Sequence, residues 1–185
     1  MSSRRTRFVL GVFVAVFALS TTAQLFAFHQ WGCYKWAWTP GSSTSLDLGY
    51  AFGQMVSGRD YLGAYLRSRS VWNTAPPINV FQVSSGNKLT WYAKNYGVNG
   101  WLGLAQIWVN GCTIVKGTSK LNNTYLRSGF YSQTAIDHVA CQEVGHTFGL
   151  DHNHNETNTC MNDGILTAGA QINQHDRDQI LAMYP

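Results

Sequence analysis

Between Asp60 and Trp72 the apolar residues Tyr61, Leu62, Tyr65, Leu66 and Trp72 recur at near-helical spacing, with Arg67 and Arg69 on the solvent side. This predicts an amphipathic helix. Ala75-Pro76-Pro77 closes it, because proline cannot continue a helix and restricts the residue before it. The period then changes. Ile78 to Val83 and Leu89 to Lys94 read as strands on either side of a Gly86-Asn87 turn. A glycine-bearing loop, Gly97 to Gly103, leads into a further strand, Leu104 to Asn110, which ends before Gly111. Upstream, Trp36 and Trp38 alternate as on a strand, and Pro40 to Ser45 is a turn-forming run. From Thr113 to Phe130 the pattern weakens, with Thr113 to Val115 and Thr124 to Leu126 as a candidate pair of short strands.

From Thr134 the period is helical. Thr134 and Asp137 have capping-box spacing, and Gly149 is a natural C-terminal stop. Asp151 to Ala170 is polar and glycine-bearing, hence loop. Asn173 and Asp176 repeat the capping-box spacing, and Ile180, Leu181 and Tyr184 give a last helix its apolar stripe. A first helix among strands, a second helix, a loop and a final helix make an α+β domain with a mixed sheet.

Composition changes this picture at the start of the chain. Arg4, Arg5 and Arg7 precede an apolar run, Phe8 to Leu19, too short to span a bilayer. Thr21-Thr22-Ala23 supplies small residues for cleavage, so residues 1–23 read as a signal peptide and 24–185 as the secreted domain. Cleavage removes three of the 13 basic residues and none of the nine acidic ones, leaving a charge near +1. No basic patch then argues for nucleic acid, and no stable membrane association is expected. Cys33, Cys112, Cys141 and Cys160 are an even set in a secreted chain, which reads as two disulfides with three alternative pairings. A Cys141–Cys160 bond would staple the second helix to the loop after it and leave Cys33 with Cys112. Asn122 and Asn155 sit in glycosylation sequons.

Chemistry concentrates in Gln142-Glu143-Val144-Gly145-His146-Thr147-Phe148-Gly149-Leu150-Asp151-His152. The zinc-protease pattern is H-E-x-x-H-x-x-G-x-x-H, and only its first position departs, carrying glutamine. Residues four apart on a helix share a face, so Gln142 and His146 point into one space with Glu143 beside them. A glycine at 149 lets the chain turn sharply and bring His152 to the same centre. Three ligands and one open position are how a catalytic Zn2+ is held, and zinc lowers the pKa of water there to about 7. Glu143 can take the proton and pass it to a leaving amine. The glutamine amide oxygen reaches about as far as the distal imidazole nitrogen but is a weaker donor. Two readings follow: an active site with Gln142, His146 and His152 on zinc, or a protease-like domain that grips extended peptide or cell-surface polymer without cutting. His138 lies one turn back, about 6 Å along the axis, too far for the same centre. His154 follows the turn but breaks the spacing.

These residues resemble the metzincin zinc endopeptidases, and within them the matrixins. E-x-x-H-x-x-G-x-x-H at 143–152 carries the resemblance, with Cys160-Met161-Asn162-Asp163, which looks like the Met-turn, and the ending Asn173 to Tyr184, which is similar to the matrixin last helix. The resemblance implies a twisted, mostly parallel sheet of about five strands with three helices, and Met161 beneath the metal. It implies an extended polypeptide substrate lying along a sheet edge near Leu104 to Val109. A secreted monomeric zinc endopeptidase is the expectation.

Overall fold

Three aromatic rings occupy the middle of the molecule. Trp91 stacks on Tyr50 with centroids 3.9 Å apart and on Tyr65 with centroids 5.1 Å apart. Two of the three come from neighbouring strands and the third from the helix packed on them. The structure is a computed structural model and describes residues 29–39 and 44–185. The expected signal peptide and residues 40–43 of the expected turn lie outside the described residues.

Six strands and four helices are present among the described residues: β1 (Lys35–Trp36), β2 (Leu46–Met55), α1 (Tyr61–Trp72), β3 (Ile78–Gln82), β4 (Leu89–Lys94), β5 (Gly103–Asn110), β6 (Thr113–Asn122), α2 (Asn123–Leu126), α3 (Gln133–His146) and α4 (Gln174–Met183). The sheet order is β1-β6-β4-β2-β3, all parallel, and β5 pairs antiparallel with β6. This is an α+β domain, as expected, with one strand and one helix more than expected. β5 takes one side of β6 along Thr113–Leu121, while β4 and β1 share the other side. Among the described residues no strand pairs with the outer side of β5, so Leu104 to Val109 lies at a sheet edge there.

β2 has no counterpart among the expected elements. Leu46, Leu48 and Tyr50 alternate inward, but Gly49 and Gly53 interrupt the strand pattern. Packing explains both glycines. A Cβ at 49 would lie 3.0 Å from Val83, and one at 53 would lie 2.0 Å from the Tyr92 ring. Thr124 to Leu126 is helix rather than strand, because the Asn122 side chain accepts from Thr124 N–H and caps α2. Ser132 caps α3 instead of Thr134, accepting from Ala135 N–H at 3.1 Å, while Asp137 pairs with Arg67 at 2.7 Å. The Asn173–Asp176 capping box is present on α4. Its buried stripe is Ile180, Met183 and Tyr184, and Leu181 faces solvent. Trp36 is buried, whereas Trp38 lies beyond β1 and donates to the Pro185 carbonyl at 2.6 Å.

Two disulfides join Cys33 to Cys112 and Cys141 to Cys160. The first ties the turn before β1 to the β5–β6 hairpin. The second ties α3 to the loop that carries Met161. No helix among the described residues is long and apolar enough to cross a membrane. Asn122 is fully buried, so its sequon is closed in the folded chain, whereas Asn155 is exposed.

Candidate functional site

α3 delivers three of the expected residues. Its last turns are buried between sheet and loop, and Gln142, Glu143 and His146 are each less than 10% exposed. The helix stops at His146. Thr147 turns its hydroxyl back to the Val144 carbonyl at 2.6 Å, and Gly149 then adopts φ +94°. Only glycine fits there, since a Cβ would lie 2.1 Å from the Tyr34 carbonyl oxygen. The chain reverses, and residues 149–151 run beside residues 29–31. Trp31 N–H donates to Gly149 O at 2.7 Å and Asp151 N–H to His29 O at 2.6 Å. The reversal brings His152 to His146.

The two histidines meet through their distal nitrogens, with Nε2 to Nε2 3.1 Å. His146 Nδ1 lies 2.8 Å from the Leu150 carbonyl, which only accepts. The ring is thus protonated at Nδ1 and offers the Nε2 lone pair to the cleft. Burial holds the His146 pKa down to about 4, so the neutral ring prevails at ordinary pH. Two nitrogens bound tetrahedrally at about 2.0–2.1 Å from zinc stand about 3.3 Å apart, close to the spacing seen. Gln142 lines the same cleft, and its amide nitrogen is buried with no hydrogen-bond partner. The two imidazole nitrogens and their spacing fit a zinc ion, and of Gln142 only the amide oxygen could join them.

Glu143 lies between α3 and β5. Gly103 makes room for it, since a Cβ there would be 2.5 Å from the Glu143 side chain. Burial pushes the Glu143 carboxyl up to about 8, against the pull of the Ala105 backbone N–H. In the metal-free cleft the carboxyl therefore keeps its proton at neutral pH.

Met161 is fully buried under the helix. Gly145 admits it, because a Cβ there would lie 2.5 Å from the Met161 sulfur and 2.6 Å from Trp72. His138 turns away from the cleft to the same loop, with Nε2 2.7 Å from the Asn162 carbonyl. His154 is 69% exposed and bonds to Asp163 at 2.8 Å. With His152 they form a group on the rim whose ligand-capable atoms all lie within 4.8 Å.

Gln142, Glu143, His146 and His152 thus line one cleft of about 560 Å³. Trp31, Gly103, Ala105 and Asp163 also line it, and the motif did not reveal them. Trp31 sets its ring edge-on to His146 with centroids 6.0 Å apart. A second hollow of about 390 Å³ continues along β5, between Trp31, Tyr34 and Ala105 to Val109. No family model matches the chain, and the search of curated proteins finds no match either.

Proposed function

We propose that this protein is a secreted zinc-dependent endopeptidase of matrixin-like fold within the metzincins, acting as a monomer on extended polypeptide. The observation that carries the reading is the meeting of His146 and His152 at 3.1 Å in a cleft that also holds Gln142 and Glu143. The Met161 loop beneath α3 and the capped last helix support the finer family assignment. Two disulfides accord with an oxidising, extracellular setting.

His146 and His152 would hold the zinc, with Gln142 as third ligand. When bound, zinc supplies Lewis-acid polarisation of water and of the scissile carbonyl. Glu143 accepts the proton from the attacking water and delivers it to the departing amine. The Ala105 N–H and the open slot at Gly103 hold its carboxyl in place. A substrate strand would pair with the outer edge of β5 and run through the hollow beside Trp31 and Tyr34.

The test is cleavage of casein by the purified protein with and without a zinc chelator, beside Glu143→Ala. The expected outcome is cleavage that needs both the metal and Glu143. Cleavage that persists in Glu143→Ala rejects the mechanism. Gln142 favours a second reading, a protease-like domain that grips extended peptide without cutting. A folded, zinc-loaded protein with no cleavage would select it.

A further inference from the structure

Outside the cleft, a buried imidazole and a buried carboxylate face each other without a hydrogen bond. His29 Nε2 and Asp176 Oδ1 lie 3.5 Å apart. Both residues are more than 90% buried, and neither of these two atoms has a hydrogen-bond partner. The remaining polar atoms of the pair are occupied. His29 Nδ1 lies 2.9 Å from the Asp151 carbonyl, which only accepts, so Nδ1 carries the proton of the neutral ring. Asp176 Oδ2 accepts from Asn173 N–H at 3.0 Å and from the Thr159 hydroxyl. In the neutral ring an unprotonated Nε2 therefore stands 3.5 Å from an unpartnered carboxylate oxygen inside the protein. Such a pair is costly unless a cation or a proton lies between them. The third member is His175, whose ligand-capable atom lies within 4.8 Å of those of His29 and Asp176.

We propose that His29, His175 and Asp176 form a second metal site, taking a divalent cation of the zinc class. Two imidazoles and one carboxylate are a zinc-type donor set, and three protein ligands leave one position for water. Half-buried His175 gives the ion a way in. Coordination needs one movement. His175 stacks on His29 with centroids 4.9 Å apart, and its Nδ1 lies 3.1 Å from Asn153 Nδ2. Turning that ring about its Cβ–Cγ bond brings a nitrogen lone pair into the gap. Asp176 stays fixed, because the capping box holds it at the start of α4.

The placement gives this site a purpose beyond storage. His29 bonds to the carbonyl of Asp151 and His175 to the side chain of Asn153, the two neighbours of His152. A cation here would clamp residues 29–31, the start of α4 and the turn that aims His152. It would act as a structural metal that positions a cleft residue from outside the cleft.

The site stands or falls independently of the protease reading. Protein stripped with a chelator and dialysed against zinc chloride should bind about two equivalents, by elemental analysis. His175→Ala and His146→Ala should each bind one fewer, and the double variant close to none. In the His146→Ala background, zinc should raise the unfolding midpoint, and His175→Ala should abolish that rise. A folded His175→Ala that binds as much zinc as its parent overturns the proposal. If only the cleft assignment fails, the unaltered chain binds one equivalent, retained in His146→Ala and lost in His175→Ala. Zinc bound by none of the folded forms overturns both.

Discussion

At the scale of the residue, Glu143 and His146 carry opposite pH signatures. Burial raises the Glu143 carboxyl from 4.5 to about 8 in the fold. Between those values the folded metal-free chain holds a proton that the unfolded chain has lost, so stability falls as pH rises. One such proton changes stability by at most about 1.4 kcal/mol per pH unit. His146 is depressed from 6.5 to about 4, so its contribution is lost as pH falls through that window. The two slopes oppose each other below pH 6.5, and only Glu143 acts between 6.5 and 8. Metal-free Glu143→Gln should therefore show a flatter urea midpoint than the unaltered chain across that upper range. Parallel slopes in the two proteins would show that Glu143 is already ionised. Gln142 makes a separate prediction. An imidazole nitrogen is a better zinc donor than an amide oxygen. Gln142→His should bind zinc at least about tenfold more tightly, a difference of about 1.4 kcal/mol. Competition with a chromophoric chelator measures it, and equal affinity would mean that position 142 does not face the metal.

At the scale of the element, the turn at Gly149 decides whether helix and loop share a centre. Gly149→Ala forces a Cβ toward the Tyr34 carbonyl at φ +94°. It should lose on the order of 3 kcal/mol of stability and weaken zinc binding, because Tyr34 or His152 must move. Gly129, with open space around it and no positive φ, is the control, and Gly129→Ala should be near neutral. Urea unfolding of the two variants side by side checks this, and similar losses would refute it. The turn was legible because its glycine falls at a fixed offset from His146. α1, β3, β4, β5 and the α4 cap were legible for the same reason, since periodicity and capping are local. β2 and β6 were not. β2 carries glycines demanded by Val83 and Tyr92 across the packing. β6 buries Thr118 and Ser119, whose polar character hides the strand until the Tyr65 hydroxyl is seen 3.1 Å from Ser119. Likewise the motif announced Gln142, Glu143, His146 and His152. Trp31, Gly103 and Asp163 join them only through the tertiary fold.

At the scale of the whole molecule, the two disulfides separate stability from function. Cys33–Cys112 closes a loop of 79 residues and Cys141–Cys160 one of 19. Chain-entropy reasoning gives about 4.5 kcal/mol for the longer loop and about 3 kcal/mol for the shorter. Removing the first pair with serines should therefore lower the urea midpoint more. The site reverses that order. Cys141 lies beside Gln142 in the sequence, and Cys160 precedes Met161, whose sulfur fills the space left by Gly145 under the same helix. Cutting this bond frees α3 from the loop beneath it, while cutting the other leaves the two joined. Under conditions where each variant is fully folded, Cys141→Ser/Cys160→Ser should lose more casein cleavage and more zinc affinity than Cys33→Ser/Cys112→Ser. The expected result is an inversion, with the more stable variant the less active one. If activity instead follows stability in both proteins, the Cys141–Cys160 bond serves the fold alone, and the alignment of Gln142 and His146 rests on helix packing against Trp72 and the sheet.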